Sequence, residues 1–154
     1  MTTYSVASFF SGIGGIDLGF ESTGRYRTVY ADEISAPPRH IMQANFPDID
    51  IDPRDIRDVQ PDDVPDVDVI VGGFPCQSFS MVGARRGMSD AKNGDLFFHV
   101  MRIVKAKLPR AVMLENVAGI LTADGGAMIR AVEGLFDDIG YRLTYQVMQA
   151  CEHG

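Results

Sequence analysis

The sequence predicts an α/β fold with a mainly parallel sheet and helices on both faces. Three observations predict it. Short β-prone runs alternate with stretches of helical apolar spacing along all 154 residues, the pattern of strand–helix–strand units. Val67–Val71 (VDVIV) is almost continuously β-branched, as suits a strand buried on both faces. With 45% hydrophobic and 23% charged residues, the chain has the composition of a globular domain and enough length to bury a core without staples.

Tyr4–Phe10 (YSVASFF) reads as the first strand and stops at the glycine cluster 11–15. Ile16, Leu18 and Phe20 follow, and Gly24 breaks the pattern, which predicts a tight turn and a short helix. Tyr26–Ala31 (YRTVYA) is the second strand. Pro37 and Pro38 fall near the start of the next helix, where proline is tolerated, and that helix runs to about Asn45. Ile49, Ile51, Ile56 and Val59 suffice for one short edge strand. After Val67–Val71 comes a polar, glycine-rich segment, 72–94; loops so long are uncommon in compact domains unless functional or disordered, and 78–93 is expected to be mobile in the absence of a bound partner. Leu96 to about Lys107 is amphipathic, with Leu96, Phe97, Val100, Ile103 and Val104 at helical spacing. Arg110–Leu114 reads as another buried strand. Ala127–Ile139 reads as a helix with Ile129, Val132, Leu135 and Phe136 on one face. Tyr141–Ala150 is expected to be a last strand near a sheet edge, where an unpaired strand invites self-association.

Several classes are excluded or left open by composition. No apolar run approaches the roughly 20 residues that span a bilayer, and MTTYSVASFF lacks the basic start of a signal peptide. A cytoplasmic protein with no membrane partner is expected. Cys76 and Cys151 share no ligand spacing with His40, His99 or His153, so no metal site is expected. The net charge of −7 argues against a nucleic-acid clamp. Nine of the 21 acids, however, lie between Asp48 and Asp68, and the rest of the chain is nearly balanced. Charge therefore does not decide the partner.

Ligands of parallel sheets sit at the carboxyl ends of the strands. After the first strand, Gly12, Gly14 and Gly15 allow close backbone approach. The third position of a dinucleotide fingerprint is Asp17, not glycine, so a pyrophosphate cradle fits poorly and a nucleoside fits better; a plain tight connection is the alternative. Glu33, about 20 residues on, can accept hydrogen bonds from two ribose hydroxyls, or can serve as helix N-terminal charge. Asp55, with Ile56, can read an adenine amino group or be one solvated acid among many. Gly72-Gly73-Phe74-Pro75-Cys76-Gln77 places a thiol in a polar turn, where thiolate chemistry is available to it; a lone cysteine is otherwise a small hydrophobe. Glu115-Asn116 ends the VML strand, where a carboxyl is costly unless partnered or functional. If the fourth and fifth strands are neighbours, Cys76 and Glu115 face one pocket, and the glycine turn lies one strand over.

These segments together resemble the DNA cytosine-5 methyltransferases. FSGIGGIDLGF is similar to that family's cofactor loop, ADEISAPPRHIMQANFPD to its second motif and DIRDV to its third. GGFPCQSFSMVGARRG is similar to its catalytic loop, and GDLFFHVMRIV and MLENVAGI to the next two. The resemblance implies a Rossmann-like methyltransferase fold that uses S-adenosylmethionine and acts on double-stranded DNA, as in a restriction-modification system. It implies that Cys76 adds to C6 of a flipped cytosine, that Glu115 holds N3 and the exocyclic amine, that Pro75 shapes the loop and that Asn116 braces the pocket. Phe10, Gly12, Gly14, Gly15, Glu33, Ile34, Asp55, Ile56, Phe74 and Leu96 match cofactor-pocket positions. Gln77, Ser80, Arg85 and Arg86 match the loop that closes on nucleic acid. The departures are Ser8 for a common Asp, Ile34 for an aromatic, and Asn93 for an Arg. QACEHG is similar to the start of an arginine motif. Residues 1–154 are accordingly expected to be one partial catalytic domain without a target-recognition region, cut before its last strands: a truncated gene, a fragment or a split subunit with a complementary C-terminal chain. The competing readings are an RNA cytosine-5 methyltransferase, a non-catalytic cofactor-binding subunit and a nicotinamide oxidoreductase.

Overall fold

The computed structural model describes residues 2–74 and 96–152. The chain divides into two compact units, Met1–Glu115 and Asn116–Gly154. The first contains β1 (Tyr4–Phe9), α1 (Gly15–Glu21), β2 (Tyr26–Asp32), α2 (Ala36–Asn45), β3 (Ile51–Asp52), a 3₁₀ turn at Pro61–Asp63, β4 (Val69–Gly73), α3 (Leu96–Lys107) and β5 (Ala111–Glu115). The strands form one sheet in the order β3-β2-β1-β4-β5, and every pairing is parallel. Right-handed crossovers then put the helix between β1 and β2 and the helix between β4 and β5 on opposite faces. The chain leaves β1 toward β2 and returns to its other side as β4, which makes the β1/β4 boundary the switch point where such sheets bind ligands.

The faces follow from the two-residue alternation of the strands. On one face Val6, Val69 and Val71 pack under Ile16, Phe20 and Tyr26, while Ala31, Met42, Phe46, Ile49 and Ile51 seat α2 over β2 and β3. On α3, Phe97, Val100, Met101, Ile103 and Val104 are buried, the i, i+3, i+4, i+7 stripe of a core-facing helix. Phe97 also meets Phe74, ring centroids 5.3 Å apart. Burying each such large side chain contributes about 1.5–3 kcal/mol. Among the described residues, no helix is long and apolar enough to cross a membrane.

Three expectations are corrected. The fifth strand is not buried on both faces: its five residues alternate exposed and half-buried, and it stands at the sheet edge with β4 as its partner among the described strands. The VDVIV strand begins at Val69 rather than Val67 and extends through Gly73, so the glycines expected to open the loop end the strand instead. Residues 141–149 form no strand. Their sequence alternates well enough, but a β-strand exists only through hydrogen bonds to a neighbour, and these residues have none among the described strands. Tyr145, Val147 and Met148 are exposed there.

In the second unit, 3₁₀ turns at Ala118–Leu121 and Ala123–Gly126 lead into α4 (Ala127–Asp137). Met128, Val132 and Phe136 are its buried residues, one turn apart along one stripe. Ile129 and Leu135 of the expected face are half-buried. Gly126 at φ 80° precedes the helix, and Gly140 at φ 86° follows it.

One glycine of the first unit carries a testable constraint. Gly14, the residue before α1, has φ +87°, and a Cβ there would lie 2.6 Å from the Phe46 ring and 3.3 Å from Met42. Gly14→Ala therefore combines left-handed strain with overpacking of a closed cluster. It should lower unfolding free energy by about 2–4 kcal/mol, measured by urea denaturation. A loss below about 0.5 kcal/mol, within the range of ordinary surface substitutions, would contradict this packing.

Candidate functional site

The carboxyl ends of β1 and β2 build one continuous polar edge. Beyond Phe9 the chain turns sharply: Phe10 has φ 53° and Gly12 φ 57°. The turn is fastened by backbone and hydroxyl bonds. The Ser11 amide donates to the Asp32 carbonyl at 3.0 Å and the Gly14 amide to the Ser11 carbonyl at 2.9 Å. The Ser11 hydroxyl lies 3.1 Å from the Ser8 carbonyl and 3.2 Å from that of Asp32.

Glu33 is the focus of this edge. Its Oε2 accepts the Gly12 amide at 2.9 Å and its Oε1 accepts the Ser35 amide at 2.7 Å. The carboxylate is thus held at both oxygens by backbone donors, and each oxygen keeps a second lone pair for an incoming hydroxyl. The residue is only 9% exposed. Ile34 beside it is exposed, an apolar surface ready for the face of a flat ring. A Cβ on Gly12 would meet nothing within 4 Å, so space is open over the turn. These features fit the ribose and base of a nucleoside: a vicinal acceptor, an apolar neighbour and an uncrowded backbone.

The remaining cofactor-pocket positions are placed as follows. Gly15 opens α1 and is exposed. Asp55 is half-buried and already engaged: its Oδ1 accepts the Arg57 amide at 3.0 Å and its Oδ2 pairs with the Arg57 guanidinium at 3.3 Å. Ile56 is a core side chain, 2% exposed, and its carbonyl accepts from Arg102 at 3.3 Å. Its side chain is therefore not available to a ligand. Phe74 is buried against Phe97, and Leu96 is half-buried at the start of α3.

At the other side of the switch point, β4 and β5 are adjacent, with Gly73 opposite Glu115. The two residues approach closely: a Cβ on Gly73 would lie 3.2 Å from Glu115 Oε2. Glu115 is exposed, so the burial cost expected for a carboxyl at this strand end does not arise. Asn116 belongs to the second unit, where its side-chain oxygen accepts the Val117 amide at 2.9 Å. Pro75, Cys76, Gln77, Ser80, Arg85, Arg86 and the segment 78–93 lie outside the described residues. Among the described residues, no cluster of His, Cys, Asp and Glu could hold a metal ion.

Two acids of this edge were not singled out by sequence. Asp17 entered only as the residue that breaks a glycine fingerprint, yet it is fully buried. Burial pushes its carboxyl up from the usual range, against hydrogen bonds from Thr28 and Ser8 that pull it down. Asp32 is 2% exposed, and its Oδ2 has no hydrogen-bond partner. Burial, then the negative charges of Asp52, Glu33 and Asp55, push it up to about 7, with Arg54 opposing. Its register partner Asp52 behaves oppositely: hydrogen bonds from the Arg54 side chain hold it below the usual carboxylate range, and Tyr30 adds a bond at 2.9 Å.

Residues 4–154 match the protein family described as C-5 cytosine-specific DNA methylase. The chain is 44% identical over 150 residues to the type II methyltransferase M.Bsp6I of Bacillus sp. (strain RFL6), covering 97% of this chain and 47% of that protein. It is 36% identical over 154 residues to the type II methyltransferase M.HaeII of Haemophilus aegyptius, covering 100% of this chain and 47% of the relative. The chain thus spans about half the length of the curated relatives it matches. A putative DNA modification methyltransferase encoded within an E. coli prophage superposes with a TM-score of 0.69 at 26% identity, over 88% of this chain and 38% of that one. A mutant of Spodoptera frugiperda DNMT2 gives a TM-score of 0.65 at 24% identity, over 89% of this chain and 40% of the other; that likeness bears on the fold.

Proposed function

The chain belongs to the C-5 cytosine-specific DNA methylase family, and from that premise we propose that it is the cofactor-binding and catalytic-loop half of an enzyme that methylates carbon 5 of cytosine in double-stranded DNA. The observation that carries the cofactor part is Glu33, fixed by the Gly12 and Ser35 amides with acceptor capacity to spare. S-adenosylmethionine, when bound, supplies an electrophilic methyl group on a sulfonium sulfur. Glu33 takes the ribose hydroxyls, Ile34 packs on the adenine, and the 10–15 turn admits the amino acid end.

Cys76, three residues after β4 in the sequence, is the nucleophile. Its thiolate adds to C6 of cytosine and makes C5 an enamine carbon. Glu115, at the end of the adjacent strand, accepts from the exocyclic amine and shares a proton with N3 as charge develops there. C5 takes the methyl group as the methyl–sulfonium bond breaks and leaves a neutral thioether, the C5 proton goes to a base, and the bond from C6 to the Cys76 sulfur breaks to return the thiolate. The base must leave the duplex for this, at a cost of a few kcal/mol. The Gln77, Ser80, Arg85 and Arg86 segment closes on the DNA, and the counterpart of the relatives' remaining length supplies target reading, either in one polypeptide or as a complementary subunit.

Titration with S-adenosylmethionine tests the cofactor half of this reading. Saturable binding is expected, weakened tenfold or more by Glu33→Ala, since two charge-assisted hydrogen bonds to the ribose are lost. Binding that is indifferent to Glu33→Ala would overturn the assigned site. Methyl label from the completed enzyme appearing on an atom other than cytosine C5 would overturn the reaction.

A further inference from the structure

The buried carboxyl of Asp17 has no role in the chemistry above, and its surroundings give it one. It lies on the first turn of α1, two residues after the glycine turn ends. Its two oxygens are shared between two strands: Oδ2 accepts the Ser8 hydroxyl of β1 at 3.0 Å, and Oδ1 accepts the Thr28 hydroxyl of β2 at 2.9 Å. All three residues are at most 2% exposed. Around them the face is apolar, built from Val6, Val69, Val71, Ile16 and Phe20. A carboxyl here costs desolvation that an aliphatic side chain would not, so packing alone does not account for it.

Its connections run to the ligand edge. Ser8 sits just before the turn and its carbonyl accepts the Ser11 hydroxyl. Ser11 is bonded to the Asp32 carbonyl, and Glu33, the next residue, receives the Gly12 amide. The turn is therefore clasped at its start by Ser8, at its end by Asp17, and along its side by the strand that carries Thr28, Asp32 and Glu33. α1 has no side-chain cap at its N-terminus, so this clasp is the polar tie of its first turn to the sheet, as Glu21, accepting the Thr28 amide at 2.9 Å, is of its last.

We propose that Asp17 is a positioning residue for the nucleoside cofactor, bridging Ser8 and Thr28 so that the 10–15 turn presents the Gly12 amide to Glu33 and orients that carboxylate for the ribose. The inference deepens the cofactor reading above and rests on it.

Three variants of the full 154-residue chain separate positioning from packing. Asp17→Asn keeps the shape and can bond both hydroxyls, so its affinity for S-adenosylmethionine should stay within about threefold of the parent. Asp17→Leu strands both hydroxyls and should weaken binding tenfold or more. The triple variant Ser8→Ala, Thr28→Val, Asp17→Leu removes every partner together, a change that can be nearly neutral for stability. It should recover the parent's thermal midpoint while affinity stays tenfold or more weaker. Hydrogen exchange without ligand gives the independent readout: the Gly12 amide should exchange at least tenfold faster in both Leu-containing variants, with the Val71 amide unchanged. A triple variant that binds as the parent does, or a Gly12 amide equally protected in all chains, would overturn the assignment. A parent chain that does not bind S-adenosylmethionine would overturn the nucleoside reading itself and the ligand role of Asp17 with it, a failure visible before any variant is compared.

Discussion

Methyl transfer by the completed enzyme should fall about a thousandfold or more when Cys76 is replaced by serine, equivalent to at least about 4 kcal/mol of lost transition-state stabilisation. The thiolate is the attacking species, and a few per cent of an ordinary cysteine is thiolate at neutral pH. A serine hydroxyl at the same position is essentially un-ionised, so the first bond to C6 does not form at a useful rate. Binding should respond differently. Cys76 follows β4 in the sequence, whereas Glu33 and the 10–15 turn, assigned to the nucleoside, follow β2 and β1. The Kd for S-adenosylmethionine should therefore stay within about twofold while kcat collapses, the pattern of a group that acts only in the transition state. Glu115→Gln should keep a side chain that reaches the base but lose the acidic proton shared with N3, and give a smaller loss of about 100-fold, one hydrogen-bonding group's worth. Retained turnover in Cys76→Ser would remove the nucleophile assignment and leave the cofactor site standing.

How far these assignments were legible in the sequence differs from residue to residue. VDVIV, the LFFHVMRIVKAK stripe and the glycine turn carry local signals, and each element appears within a few residues of its expected place. The nearness of Glu33 to the glycine turn was legible because its distance from the glycines reflects one strand–helix–strand unit, and the parallel register then brings it to Gly12. Tyr141–Ala150 has strand-like alternation, but alternation specifies a face and not a partner, and no described strand pairs with it. The exposure of β5 was illegible because an apolar run does not say what packs on its faces. Asp17 was hidden more deeply. Nothing local marks a carboxyl in an amphipathic helix as buried; its status depends on hydroxyls nine residues before it and eleven after it, which only the assembled sheet brings together. Asp32 looks in sequence like half of an ordinary acidic pair with Glu33. Strand alternation separates them: Glu33 receives two backbone donors, and Asp32, between its register partners Phe9 and Asp52, receives none.

That isolation makes Asp32 the group with the largest expected effect on stability. Its carboxyl is held near 7 in the folded chain against 3.8 unperturbed. Below about pH 4 both folded and unfolded chains hold the proton, and Asp32 adds no pH dependence. Between about 4 and 7 the folded chain keeps a proton that the unfolded chain has released. Stability must then fall as pH rises through that window, and level off above it. Roughly three pH units at 1.36 kcal/mol each bring the span to about 4 kcal/mol. Asp32→Asn keeps the shape without a charge to bury, and it also relieves repulsion with Asp52, Glu33 and Asp55. It should stabilise the chain at pH 8 by as much as about 4 kcal/mol, and by little at pH 4. The difference between variant and parent is the quantity to measure. Asp17, also pushed up by burial, slopes the same way as Asp32, and His99, pushed down by burial, slopes the opposite way up to its ordinary 6.5; both are common to the two chains. Urea titrations at half-unit intervals from pH 4 to 8 should give a difference that grows steadily toward pH 7 and then flattens. A difference that stays level across the window would show that Asp32 is ionised at no cost in the folded chain. A variant less stable than the parent at pH 8 would show that its negative charge is needed where it lies.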